Sequence, residues 1–397
     1  MKQPNYNGVC VLVIGKDGDW KNIPVAIAFI HKETAENFGW FFANCVVAGL
    51  KLDDRAMFTD RGKQRDAQLR LKAREVPVHL KFCAWHLYFN VCGHFRKVEQ
   101  NIDRIKGLVF DLQASTTLNE YEHVLAQVQE LFPSPRTVMV NGAAQAQTAA
   151  QYLRGIHPTS WTKFGTGVLS LEESEAVDSE WKCVTSYGDG CPLFGGRTTS
   201  AIEGQNNALL VAGIRDNQVM GALVLFCNSV VEVIAIKTKT ARSWMKAKHT
   251  VTPRANSMSN KQVWAAAACT VRKSAEGIFH VDDTVISLED EASDRAGSDS
   301  LVAASTAENI PRTYTVDLGT GICTRCADRR HLQLPCRHIV AASYLQRGCR
   351  TSTSGVYKFF HSAYTVEAYA RTFLHVTISL PFVPALLSDP HIQPPPI

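Results

Sequence analysis

The chain has 397 residues, 45% hydrophobic and 20% charged, which supplies material for more than one folded core and excludes a largely disordered chain. Its formal net charge of +5 permits an anionic partner, yet it falls short of the dense basic signature of a dedicated nucleic-acid binder. Met1-Lys2-Gln3-Pro4 opens no secretory signal, and the longest apolar run, Met220 to Ile236, is short and carries Asn228 and Glu232. A soluble protein that is not secreted and has no membrane partner is therefore expected, and in a reducing compartment most of its twelve cysteines are expected to be buried small apolar residues or metal ligands, not disulfides.

In chain order, Val9 to Ile14 and Pro24 to Ile30 read as two buried strands joined by the turn-rich Gly15-Lys16-Asp17-Gly18-Asp19. Glu33 to Leu50 places Phe38, Phe41, Phe42, Cys45 and Val46 at helical spacing, and Ala56 to Thr59 is a short strand before Asp60-Arg61-Gly62. A strand at Pro77 to Phe82 leads into Cys83-Ala84-Trp85-His86, and the pattern from there to about Leu153 is mostly helical. The N-terminal part is thus α/β. Ser200 followed by Glu203 ahead of an apolar-periodic segment signals a helix start, with helix expected to about Ala235. Lys237, Lys239, Arg242, Lys246, Lys248 and Arg254 form a loosely basic segment, and Glu289, Asp290, Glu291, Asp294 and Asp299 lie in a Ser/Ala-rich stretch. These predict a linker, basic then acidic, over 236–310. Tyr314 to Val316 reads as a strand, His338 to Leu345 as a short helix, and the tail that ends in the Pro-rich Gln393 to Ile397 as disordered.

Between that strand and that helix lie Cys323-x2-Cys326 and Cys336-x-His338, four soft or borderline ligands within sixteen positions. Two closely spaced knuckles of this kind can close a tetrahedron around one zinc ion. Three thiolates and an imidazole, with no carboxylate and no open position, indicate a structural ion that substitutes for the core a small unit lacks. His331 lies between the knuckles and is read as a solvated loop residue, because Pro335-Cys336-Arg337-His338 ahead of an apolar helix is the better-formed knuckle.

Pro335-Cys336-Arg337-His338-Ile339-Val340-Ala341-Ala342 resembles the second half of the SWIM zinc finger, whose pattern is Cys-x-Cys, a spacer, then Cys-x-His. The first knuckle departs from that pattern by one residue, being Cys-x2-Cys. Upstream, Tyr6-Asn7-Gly8, Gly15-Lys16-Asp17-Gly18, Ala26-Ile27-Ala28, Trp40-Phe41-Phe42, Phe58-Thr59-Asp60-Arg61-Gly62 and Cys83-Ala84-Trp85-His86 together resemble the Mutator-like transposase domain. That resemblance implies an RNase H-like mixed sheet with a helical insertion, an Asp-Asp-Glu site for paired Mg2+ or Mn2+ ions, and a Cys-x2-His signature. It covers about residues 2–90, a block near 197–235, and the finger.

By this resemblance Asp60 corresponds to the second catalytic aspartate, and Cys83 and His86 to the signature that supports the site. Without the resemblance, Asp60 reads as a turn aspartate and Cys83 and His86 as a buried cysteine and a satisfied histidine. Thr198-Thr199-Ser200-Ala201-Ile202-Glu203-Gly204-Gln205-Asn206 is similar to the block that carries the third carboxylate, so Glu203 is either that ligand or the partner of Ser200 in a capping box. The family's first aspartate lies just upstream of the Tyr-x-Gly turn, and Met1 begins after that point; Asp17 and Asp19 belong to the next loop and do not replace it.

The expected organisation is a partial RNase H-like domain over 1–95 with its first strand missing, a helical insertion and return helix over 96–235, the linker over 236–310, a small ββα SWIM-type finger over 311–347 and a tail over 348–397. The expected function is that of a transposon-derived zinc protein with little or no strand-transfer activity, contacting DNA or a protein partner through its finger. An active metal-dependent transposase whose first strand is encoded upstream, and a domesticated DNA-binding regulator, are the alternatives. A nuclear location is implied only by the family's work on DNA.

Overall fold

The computed structural model describes residues 8–76, 78–95, 102–140, 143–167, 169–199, 204, 217–283, 312–348 and 355–376. Strands β1 (Val9–Lys16) and β2 (Asn22–Ile30) pair antiparallel, with Val9 opposite Ile30. Their register slips between Val13 and Ile14, where Pro24 faces Ile14. A proline lacks the amide proton that a regular ladder needs, so it sits at the irregularity. Helix α1 (Ala35–Val47) starts where the Thr34 side chain accepts from the Asn37 amide, and it buries Phe38, Phe41, Phe42 and Cys45 at i, i+3, i+4 and i+7.

Strand β3 (Ala56–Thr59), helix α2 (Gln64–Lys72) and strand β4 (His79–Phe82) form a βαβ crossover whose strands pair parallel, Thr59 opposite Phe82. Among the described residues the hairpin and the parallel pair are separate sheets. They nevertheless share one apolar cluster, in which Ala28 and Ile30 of β2 meet Phe38 and Phe42 of α1, Leu71 of α2 and Leu80 of β4. The fold is mixed α/β, as the sequence predicts.

Helices α3 (Ala84–His94), α4 (Ile102–Ala114) and α5 (Leu118–Leu131) follow, then a hairpin of β5 (Arg136–Val140) and β6 (Ala143–Gln147), and helices α6 (Ala149–Arg154) and α7 (Leu171–Glu180). Thr148 with Gln151 and Ser170 with Glu173 complete capping boxes at α6 and α7. Tyr121 centres this insertion, with its ring against Trp161, Phe164 and Trp181.

Over 236–283 the predicted linker is folded. Helix α8 runs from Val219 to Lys246, beyond the expected end near Ala235, and is followed by helix α9 (Pro253–Ala266) and strands β7 (Thr270–Ala275) and β8 (Ile278–Asp283). Of the basic residues that suggested a linker, Lys237 is buried in an ion pair with Asp17 of the β1–β2 loop, whereas Lys239, Arg242, Lys246 and Lys248 are exposed. The backbone amide of Arg254, in the first turn of α9, donates to Asp19 Oδ1 at 2.9 Å. The acidic residues Glu289 to Asp299 lie outside the described residues. With 28 residues, α8 is also long and apolar enough to cross a membrane, contrary to the short run expected; its Ala222 and Phe226 are buried against Leu12, Ile27 and Phe29 of the hairpin.

Strands β9 (Arg312–Asp317) and β10 (Ile322–Cys323) complete an antiparallel sheet ordered β10-β9-β8-β7. The finger therefore takes half of its sheet from residues assigned to the linker. Helices α10 (Ala327–Leu332) and α11 (Arg337–Arg347) follow, and α12 (Val366–Phe373) lies in the region read as tail. That region is partly folded because Tyr369 donates to Asp17 Oδ2 at 3.1 Å and Tyr364 to the Leu332 carbonyl at 2.9 Å. Gln393 to Ile397 lie outside the described residues. The β1–β2 loop is thus held by α8, α9 and α12 together. A Cβ added at Gly18 would come within 1.9 Å of the Ala363 carbonyl oxygen, so only glycine permits this approach.

Candidate metal centre

Each of the four predicted ligands is placed by local backbone. Cys323 ends β10, paired opposite Val316, and Cys326 caps α10, where its sulfur accepts from the Arg329 amide at 3.5 Å. Between them Arg325 takes φ +58°, which closes the two-residue turn. Cys336 is the N-cap of α11 and contributes no side-chain cap, so its thiol is turned to the cluster; the Arg337 amide is satisfied instead by Gln262 Oε1 of α9 at 2.9 Å. His338 lies in the first turn of α11.

The four donor atoms lie within 4.8 Å of one another and all four residues are buried. His338 Nδ1 is 3.4 Å from Cys323 Sγ. Cys323, Cys326 and Cys336 also belong to the apolar cluster formed by Phe279, Val281, Val316, Ile339 and Val340, which keeps water from the sulfurs. The structure therefore assembles a Cys3His cluster able to coordinate a metal ion, consistent with a structural zinc site.

The protonation pattern fits a cation. Burial opposes ionisation of Cys336, but hydrogen bonds from Cys323, Cys326 and His338 outweigh it and hold that thiol well below its ordinary range. Burial pushes Cys323 well above its ordinary value, reinforced by its hydrogen bonds to Cys326 and Cys336. Cys326 is lowered by its bond with Cys323 but raised further by Cys336 and burial, ending at about 11. Thiolates gathered in one buried cluster oppose one another's charge, and a divalent cation removes that opposition.

The sequence did not point to Asp283, at the end of β8. Its Oδ2 is 2.9 Å from His338 Nε2 and 2.5 Å from Arg337 Nε. Nor did it point to Tyr314, whose ring stacks on His338 at 3.9 Å between centroids and 17° between planes. The available signal was Arg337, a cation inside a knuckle that becomes buried and therefore needs an anion. His331 corrects the sequence reading: it is buried, not solvated, because α10 docks on the insertion, with His331 Nε2 donating to the Lys163 carbonyl at 2.9 Å.

A second group gathers at the C-terminal ends of the parallel strands. Asp60 follows β3, exposed, with Oδ1 accepting from the Gly62 amide at 3.1 Å. The Cys83 amide donates to the Thr59 carbonyl at 2.9 Å, which sets Cys83 beside the end of β3. Cys83 is the N-cap of α3, and its sulfur accepts from the Thr199 amide at 3.2 Å and hydroxyl at 3.3 Å; Thr199 Oγ1 is also 3.3 Å from His86 Nδ1. Burial raises the Cys83 pKa, but the bonds from His86 and Thr199 outweigh it and lower the thiol overall. The Ala84 amide donates to the Arg197 carbonyl at 3.1 Å, so the 197–199 segment is stitched to the start of α3. Asp17 and Asp19 stand apart as structural acids in the hairpin loop. Ser200 and Glu203 lie outside the described residues.

No protein-family model, curated protein or solved structure matches this chain.

Proposed function

We propose that this chain is a zinc-binding protein derived from a Mutator-like transposase, whose C-terminal finger is built on one structural zinc ion and serves contact with DNA or with a protein partner in the nucleus. The observation that carries the zinc reading is the buried convergence of Cys323, Cys326, Cys336 and His338. Cys336 and His338 would hold the ion from α11, and Cys323 and Cys326 from the β10–α10 turn. The ion supplies cross-linking, not reaction chemistry, because all four positions are taken by protein.

The transposase reading rests on the resemblance and is supported by the second group. An antiparallel hairpin followed by a parallel βαβ pair over a shared core suits an RNase H-like sheet. Asp60, the Cys83–His86 pair and the segment leading to Glu203 meet at one end of that parallel pair. Asp60 and Glu203 are the residues that would hold Mg2+ or Mn2+ in a strand-cleaving enzyme. The binding reading and the enzyme reading separate in one experiment on the purified chain, carried out with DNA and Mg2+ or Mn2+. Salt-dependent DNA binding without cleavage supports a regulator; cleavage that Asp60→Ala abolishes supports the enzyme. For zinc, metal analysis should return about one ion per chain, and metal-free wild-type protein overturns the reading.

A further inference from the structure

We propose that Asp283, outside the Cys-x2-Cys…Cys-x-His motif, is the outer-sphere anchor of the zinc site: it fixes the ring of His338 and strengthens the metal bond through the opposite nitrogen. This rests on the zinc reading of the four ligands.

The geometry distinguishes the two faces of the imidazole. Nδ1 is directed to the thiol cluster and Nε2 to Asp283 Oδ2, so a carboxylate that can only accept receives a hydrogen bond from Nε2–H and leaves the Nδ1 lone pair for the metal. Tyr314 lies flat on the ring and restricts its rotation, so Asp283 and Tyr314 together determine both tautomer and plane. A metal-bound imidazole whose far N–H donates to a carboxylate is a more basic ligand than one facing water.

Asp283 is itself held. Arg337 Nε donates to the same Oδ2, and both side chains are almost completely removed from solvent. Arg337 separates Cys336 from His338 in sequence, so one residue of the knuckle orients the anion that orients the next. The Cys269 sulfur also lies within 4.8 Å of the Asp283 and His338 donor atoms. A second cation there would compete with the guanidinium already on the carboxylate and require a fully deprotonated imidazole, so Asp283 is assigned to the outer sphere. Because β8 precedes the finger motif, zinc affinity on this reading belongs to the whole β7–β10 sheet and not to residues 311–347 alone.

The test compares the full-length wild type with Asp283→Asn, which keeps the side chain's shape and one acceptor oxygen while removing the charge. Zinc affinity is measured by competition with a chromophoric chelator, and the His338 tautomer by long-range 1H–15N NMR. The expected result is one zinc per wild-type chain with the proton on Nε2, and an affinity about 10–100-fold weaker in Asp283→Asn. Equal affinities within twofold overturn the proposal, even if the zinc-free variant melts lower, since that pattern assigns Asp283 to folding alone. A second cobalt equivalent bound by wild type and lost in Asp283→Asn also overturns it, in favour of a metal ligand. A wild type that binds no zinc instead removes the finger reading beneath it.

Discussion

His338 stands between Cys323 and Asp283, with Nδ1 3.4 Å from the sulfur of one and Nε2 2.9 Å from the carboxylate of the other. Strand β8, strand β10 and helix α11 therefore meet at one imidazole. A cation at the cluster would join the sheet to the helix, and its loss should be felt across the whole C-terminal unit.

Cys336→Ser should lower zinc content from about one ion per chain to a small fraction of that. Hydrogen bonds from Cys323, Cys326 and His338 hold the Cys336 thiol well below its ordinary range, and its loss removes one of the four buried donors. Metal analysis after gel filtration in a buffer with trace zinc checks this, and a full zinc complement in the variant would refute it.

Chelation should destabilise the wild type and leave Cys336→Ser unchanged. A ligand that binds only the folded state at a free concentration 1,000 times its Kd contributes about 4 kcal/mol. Thermal melts with and without a strong chelator measure the difference, and protection of the α11 amides from hydrogen exchange should fall with it.

His331→Ala should cost about 1–3 kcal/mol through the Lys163 carbonyl, which loses a donor in a buried position, without changing zinc stoichiometry. A variant that loses zinc as well would identify His331 as a ligand after all. Denaturant unfolding paired with metal analysis makes that distinction.

Asp17→Ala should be among the most damaging single changes, at about 3–5 kcal/mol, because it strands the buried Lys237 ammonium and removes the acceptor of Tyr369. Lys237→Met in the same background should recover part of the loss. A double variant no more stable than Asp17→Ala would show that the pair does not act as a unit.

Lys81 gives a pH signature. It is fully buried on β4, donating to the carbonyls of Thr159 at 2.7 Å and Asp189 at 2.8 Å, and burial pushes it down from 10.5 to about 8. Between those two values the unfolded chain holds more protons than the folded one, so stability attributable to Lys81 rises with pH. The cost of burying the charge is full below about pH 8 and fades toward pH 10.5. Wild-type stability should therefore gain about 3 kcal/mol relative to Lys81→Met across that window, read from paired urea titrations.

The parts legible in sequence were those fixed by near neighbours. Phe38, Phe41, Phe42 and Cys45 follow the helical period on which they are buried, and the zinc quartet follows covalent spacing that two tight turns convert into proximity. Asp283 was illegible because it reaches His338 across 55 positions. Lys237 was assigned to the basic part of a linker because its partner lies 220 positions away. His331 was misread for the same reason: the carbonyl that buries it belongs to Lys163, in a different unit of the chain. Thr199 could be placed beside Cys83 only once the end of β4 and the 197–199 segment were seen together.

The long-range clasp on the hairpin loop constrains the order of synthesis. Asp17 leaves the ribosome long before its partners: Lys237 follows 220 residues later and Tyr369 follows 352 residues later. At roughly 5–20 residues per second, the interval before Tyr369 is about 20–70 s. Until Lys237 emerges the loop holds an acid destined for burial without its ion-pair partner, and until Tyr369 emerges it lacks its second donor, so the hairpin cannot reach its final packing as it emerges. Maturation of the N-terminal α/β unit is therefore a late event, completed only when α12 is delivered.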